Sequence, residues 1–282
     1  MFSERNNHSI VILCDVLDVS RSGYYKWLKR GVSERLKKRA ELLQRILEIF
    51  EDKREVYGCP RIYDQLRSEG WTCNYKVVEE LMRMNEIQAR RGRQHRCTTD
   101  SKHNLPIAEN LLEQNFQVHE KDEVWVSDIT YIETSQGWLY LCAFIDLFTR
   151  AVVGWSMSER MKTELVLDAF EMAVANRSRA PIVVHSDRGS QYASDLFRGE
   201  LERLGCLQSM SRKGNCWDNA VAESFFGTLK EELIYREKFD SRIRATIAIF
   251  EYIEVFYNKK RSHSALGYLT PEEKGLKGEK AA

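Results

Sequence analysis

Apolar residues recur at helical spacing through the first third of the chain. Ile10, Leu13, Cys14 and Leu17 share one face, Asp18-Val19 interrupts, and Ser20 stands where it can cap a second helix carrying Tyr24, Trp27 and Leu28. The spacing therefore predicts two short helices over 9–29. A third, over 33–52, carries Leu36, Leu43, Ile46, Leu47 and Phe50. Pro60 can open a fourth that buries Ile62, Tyr63 and Leu66 and stops at Gly70. Asn74 can cap a fifth with Val77, Val78, Leu81 and Met82 inside. The five fall into two helix-turn-helix groupings.

From Val124 the period shortens. Runs over 124–132, 138–147 and 151–157, separated by short turns, read as an antiparallel meander. A helix over 164–176, a buried strand over 181–187, a helix over 194–204 and a short strand over 207–210 follow. Long helices over 219–235 and 241–260 come last, with Ala222, Phe226, Leu229 and Leu233 as the buried stripe of the first. The order βββαβαβα predicts an α/β, ribonuclease H-like fold, a mixed five-stranded sheet flanked by helices, preceded by an all-α helix-turn-helix region. The expected domains are 1–55, 56–97, a linker over 98–120, and a core with C-terminal helices over 121–282.

Charge divides along the same line. The 282 residues carry a net charge of only +1, but residues 1–97 hold 20 Lys+Arg against 14 Asp+Glu, and the remainder 23 against 28. A basic first third suits a polyanion, with Arg21 and Lys26 in the second helix and Arg90, Arg91 and Arg93 in a basic run as candidate DNA contacts. An acidic remainder can approach phosphate only with cations in between. The seven cysteines are odd in number and contain no Cys-x-x-Cys, which argues against a disulfide framework and a four-ligand zinc site. The mostly apolar run Trp138–Phe148 is interrupted by Asp146 and too short for a bilayer, and the start lacks a signal-peptide core, so the expected location is cytoplasmic.

Three acids stand out by position. Asp128 lies in the first core strand, Asp187 at the end of the fourth, and Glu223 near the start of a helix. Singly they read as a strand cap, a turn residue before Gly189 and a first-turn acid favoured by the helix dipole. In a sheet where the first and fourth strands are neighbours, however, the two aspartates stand side by side and the helix can bring Glu223 to them. Converging carboxylates repel unless cations neutralise them, and their hard oxygens suit Mg²⁺ or Mn²⁺. Such ions can polarise a phosphate, activate water or a 3′-hydroxyl, and stabilise the leaving oxygen of an in-line displacement. Lys230, seven residues after Glu223 and on the same helical face, can hold DNA beside them. Asp146 reads as a strand-end structural acid, Asp218 as a loop or cap residue, and Gly214-Asn215 as a mobile loop.

At these residues the sequence resembles the integrase core of retroviral integrases and bacterial DDE transposases, and in particular the second-frame (OrfB) product of the insertion-sequence-three family. The resemblance lies in Val124-Trp125-Val126-Ser127-Asp128-Ile129-Thr130-Tyr131, His185-Ser186-Asp187-Arg188-Gly189-Ser190-Gln191-Tyr192, Asp218-Asn219-Ala220 leading to Glu223-Ser224-Phe225-Phe226, and Val19-Ser20-Arg21-Ser22-Gly23-Tyr24-Tyr25 near the start. It implies Asp128, Asp187 and Glu223 as catalytic metal ligands and Lys230 as a DNA contact. It also implies strand cleavage followed by strand transfer without a covalent protein–DNA intermediate. The expected setting is the bacterial nucleoid, with transposon ends and target DNA as partners, a homo-oligomer on DNA, and a first-frame (OrfA) partner or fusion. The alternatives are a non-catalytic DNA-binding modulator of transposition and a structure-selective nuclease on the same fold. The paired His and Cys zinc module of retroviral integrases has no counterpart in this sequence.

Overall fold

The computed structural model describes residues 3–4, 6–89, 105–212 and 216–279. Arg90, Arg91, Arg93 and the Gly214-Asn215 loop lie outside them.

The N-terminal helices form where polar caps meet apolar stripes. Ser20 accepts from the Gly23 N–H at 3.0 Å to open α2 (Arg21–Lys29), after α1 (Ile10–Val16). Ser33 caps α3 (Glu34–Asp52). Pro60 sits in the first turn of α4 (Cys59–Ser68), and the Asn74 side chain accepts from the Lys76 N–H to open α5 (Tyr75–Met84). Helix α3 packs against α4 and α5 through Ile46, Ile62, Leu66 and Val78, across the 55/56 division read from the sequence. Arg54 and Glu55, both at positive φ (55° and 58°), make a tight corner within one helical unit. By contrast, α1 and α2 bury only Cys14 and Tyr24 between them.

Strands β1 (Val124–Thr134), β2 (Gly137–Asp146) and β3 (Val152–Ser158) form the expected meander. Helix α6 (Thr163–Ala175) then leads to β4 (Val183–Ser186), and α7 (Asp195–Arg203) to β5 (Leu207–Met210). The sheet order is β3-β2-β1-β4-β5, with β4 and β5 parallel to β1. Alternation along the strands feeds two cores. Trp125, Phe144 and Val153 meet Phe170 of α6 and Phe197 of α7 on one face. Gly154 permits that layer: a Cβ there would lie 2.4 Å from the Ala169 carbonyl oxygen and from the Ala173 nitrogen.

On the opposite face Val126, Ile132 and Leu141 meet Phe226 and Leu229 of α8 (Ala220–Glu232) and Ile249 of α9 (Arg242–Glu251). Helix α8 stops three residues earlier than its apolar period suggests. Leu233 leaves helical backbone (φ −132°, ψ −64°) while staying buried, and Ile234–Arg236 winds into a tight 3₁₀ turn. Beyond α9 the turns widen over Tyr252–Tyr257, and this shift lets Tyr252, Ile253, Phe256 and Tyr257 all face inward.

The described part of the expected linker is packed rather than free. Leu112 is buried, the Leu111 N–H donates to Ser209 Oγ at 2.9 Å, and the Met210 N–H donates to the Glu109 carbonyl. A last helix, α10 (Pro271–Glu279), was not expected from periodicity because it has few apolar residues. Its signal is a capping box: Thr270 Oγ1 accepts from the Glu273 N–H at 3.1 Å, and Glu273 accepts from the Thr270 N–H at 2.8 Å.

One buried ion pair locks the end of α8 to the C-terminal segment. Glu232 accepts from Arg261 at 2.8 and 2.9 Å and from the Tyr252 hydroxyl at 2.8 Å, with both ionic side chains under a tenth exposed. Tyr57 extends the lock to the helical unit, accepting from the Ser262 N–H at 2.7 Å and donating to the Lys260 carbonyl. Glu232→Ala strands the Arg261 charge in a dry place, so urea unfolding should show a loss of about 3–5 kcal/mol. Pairing Glu232→Leu with Arg261→Met should lose much less. A single-variant loss below about 1 kcal/mol, the range of exposed pairs, would mean that the pair is solvated.

Candidate active site

Asp128 stands in β1 opposite Ala143 of β2. On its other side β1 runs parallel to β4, with Val126 beside His185. Two residues further along the same register and on the same face come Asp128 and Asp187, the latter just past the end of β4. Asp128 Oδ1 accepts from the Ile129 N–H at 2.8 Å, and Asp187 Oδ1 accepts from the Gly189 N–H at 2.9 Å. A Cβ on Gly189 would lie only 3.0 Å from that carboxylate oxygen, so the turn after β4 has no room for a larger residue without displacing Asp187.

The electrostatics record the convergence. Burial and then the charge of Asp187 hold the Asp128 carboxyl well above the usual carboxylate range. The Ile129 N–H and Lys230 pull it down, and Glu223 pushes it further up. Glu223 lies half-buried in the first turn of α8, and burial raises its own pKa. Lys230, two turns on, is buried rather than solvated, its ammonium 5.1 Å from the centre of the Tyr131 ring. Burial lowers its pKa and Asp128 raises it. Among the described residues no three His, Cys, Asp or Glu side chains close into a group able to hold a metal ion. Asp128 and Asp187 are thus neighbours, and Glu223 is the weaker electrostatic member. Mutual repulsion of carboxylates opposes closer approach.

The frame around the acids was not legible in the sequence. The Asn219 amide donates to the Ser127 carbonyl at 3.0 Å, tying the start of α8 to β1 one residue before Asp128. Ser127 Oγ shares a 2.8 Å hydrogen bond with the buried Tyr192 hydroxyl. Asp218, expected as a loop or cap residue, is wholly buried and accepts from Arg212 at 2.8, 2.9 and 3.0 Å, from Asn110 and from Gln114. The Arg212 guanidinium foremost holds its carboxyl far below the usual range. These partners are remote in sequence and share no spacing that could announce them.

The remaining candidates separate cleanly. Asp146 accepts from the Asp122 and Thr149 N–H groups and shapes the β2–β3 turn. His185 sits between Ser209 and Ser211 at 2.8 and 3.2 Å, and burial pushes it down to about 4, which leaves a neutral ring. Arg21 and Lys26 lie exposed on α2, away from the acids in sequence and in packing.

Two family models described as Integrase core domain match residues 118–216 and 204–271, and one described as HTH-like domain matches 37–95. The Transposase InsF for insertion sequence IS3A of Escherichia coli (strain K12) is 43% identical over 268 residues, covering 94% of this chain and 93% of that protein. An uncharacterized 31 kDa protein of insertion element IS600 from Shigella sonnei is 42% identical over 92% of this chain and 96% of its own length. Among solved structures, the HTLV-2 integrase catalytic core domain in complex with magnesium is 16% identical, with a TM-score of 0.44 over 56% of this chain and 98% of that one. Sequence identity sustained over both the helical region and the core leads to one assignment: the chain belongs to the IS3 family of insertion-sequence DNA transposases.

Proposed function

We propose that Asp128, Asp187 and Glu223 are the catalytic carboxylates of this transposase and hold its divalent metal, Mg²⁺ or Mn²⁺, for cleavage and joining of DNA strands. The observation that carries the reading is the state of Asp128. Strand register sets it beside Asp187 in a half-buried place, and desolvation and that neighbouring carboxylate together raise its pKa. Folding carboxylates together in this way is costly unless the site serves a cation, and an all-oxygen donor set fits a hard one. When bound, such ions supply Lewis acidity at the scissile phosphate and an activated hydroxyl.

The chain's own residues do the rest. Asp128 and Asp187 are fixed by strand register, whereas Glu223 rides on the first turn of α8 and completes the site by a side-chain movement. Lys230 holds a phosphate oxygen of the transposon end close to the acids and offsets part of their charge. Arg21 and Lys26, with Arg90, Arg91 and Arg93, contact phosphates along the DNA outside the core. Transposon ends and target DNA are the substrates. The reaction runs from hydrolytic nicking to attack by the freed 3′-hydroxyl, within a homo-oligomer assembled on DNA at the bacterial nucleoid. A first-frame partner, separate or fused, completes end recognition. Of the segments 1–55, 56–97, 98–120 and 121–282 expected from the sequence, we keep 98–120 as the connection and 121–282 as the catalytic part, and take the helices on either side of 55/56 as one DNA-binding region.

Two outcomes follow. In a strand-transfer assay with labelled element ends, Glu223→Gln should bind DNA as wild type does but lose nicking and joining by more than about a hundredfold, beyond the 10–100-fold cost of changes outside the ligand set. Joining retained above a few per cent would show that Glu223 is misassigned. Adding MgCl₂ or MnCl₂ to the wild-type protein should raise its Tm, since an ion held at a hundred times its Kd stabilises by about 2.7 kcal/mol. Asp128→Asn removes a half-buried charge from beside Asp187. It should be more stable than wild type in EDTA and gain little from the ion. An undiminished ion-dependent rise in that variant would place the metal elsewhere.

A further inference from the structure

A cavity of about 560 Å³ opens at the end of β1 and α8, and strand cleavage leaves its aromatic lining unused. Its floor is Tyr131, three residues beyond Asp128 on β1. Lys230 covers one part of that ring, and Trp138 stands against it at 5.0 Å with the rings nearly perpendicular. Trp138 and Tyr235 line the cavity while keeping 46% and 51% of their surface exposed. Lys230 belongs both to this wall and to the electrostatic surroundings of Asp128, so one side chain joins the cavity to the acids.

The lining selects a ligand class. Lys230 and Lys238 face the same space as Glu133 and Glu237, so the formal charges cancel. A phosphate gains little in such a place. A planar, uncharged, hydrogen-bonding ring gains from every part of it. Open aromatic faces stack on a base, and a carboxylate accepts from exocyclic amino groups. The volume lies within the range of pockets that enclose small molecules.

We propose that this cavity receives one unstacked nucleobase of the DNA end whose phosphodiester lies at Asp128, Asp187 and Glu223. The proposal rests on the assignment of those acids as the cleavage site. A base held on Trp138 and Tyr235 anchors the strand on one side of the acids, so that the reacting phosphate is positioned by the base as well as by Lys230. The cost of unpairing is lowest for a base near a duplex end, which is where a transposase acts.

The test is a binding measurement in EDTA, so that catalysis does not enter. The full chain is titrated by fluorescence anisotropy with three element-end duplexes: fully paired, carrying one unpaired adenine near the terminus, and carrying an abasic residue at that position. The abasic probe keeps the flexibility and loses only the base. Wild-type protein should bind the unpaired adenine at least about fivefold tighter than the abasic probe, as stacking of one base predicts. The double variant Trp138→Ala/Tyr235→Ala should bring that ratio to about one, and Trp138→Phe/Tyr235→Phe should retain most of it. Both positions are half exposed, so neither variant empties a core. A wild-type ratio near one, or an alanine variant that keeps the full ratio, overturns the proposal. Asp128→Asn run in parallel keeps the two readings apart. Normal strand joining by that variant would sink the acid assignment, while the binding ratio still judges the cavity.

Discussion

The side-by-side register of β1 and β4 is the constraint on which the rest of the molecule turns. It sets Val126 beside His185 and, two residues on, Asp128 beside Asp187. Two carboxylates brought together in a half-buried place resist folding, and the fold resists in turn through everything packed on those strands. Trp125 and Val184 are buried in one core and Val126 in the other, while His185 is pinned by Ser209 of β5 and Ser211 just past it. A slip of one residue would turn each of these side chains to the wrong face. The hydrophobic alternation therefore holds the like charges in place.

Helix α8 carries the adjustable part of the same arrangement. Its apolar residues, Ala222, Phe226 and Leu229, fix it against the sheet, and the buried Glu232–Arg261 pair fixes its far end. At its near end the Asn219–Ser127 bond and the Asp218–Arg212 pair anchor the chain after residues 213–215. Glu223 and Lys230 are thus mounted on a rigid element held at both ends. Lys230 brings a positive charge to Asp128, and Tyr131 keeps that ammonium in place by offering its ring. The same tyrosine extends the site sideways into the aromatic cavity, so one residue of β1 links charge compensation to the space beside it.

Much of this was legible in the sequence where local chemistry and periodicity agree. Ser20 and Asn74 cap the helices they were expected to cap, and the three-stranded meander was expected from the apolar runs and short turns. Asp128, Asp187 and Glu223 could be singled out because strand ends and helix starts can be read locally, and Gly189 beside Asp187 marks a turn. The rest depends on contacts remote in sequence. Leu233 keeps the apolar period and yet ends α8, because burial and helical backbone part company there. Lys230 could be placed on the face of Glu223 from helical spacing, but its burial against Tyr131 on another element could not. Asp218 looked like a cap, and Arg212, Asn110 and Gln114 converge on it from three directions. The Thr270-Glu273 capping box could have announced α10, but a helix with so little apolar surface has no periodicity to support it.

The register of β1 and β4 and the placement of α8 lead to a single metal site shared by Asp128, Asp187 and Glu223. Anomalous diffraction from crystals of the protein bound to element-end DNA and soaked in Mn²⁺ examines it directly. Anomalous density is expected between Asp128 and Asp187, with the Glu223 carboxylate turned in toward it and Lys230 against the DNA. Manganese bound away from Asp128, with Glu223 left outside its coordination shell, would contradict it.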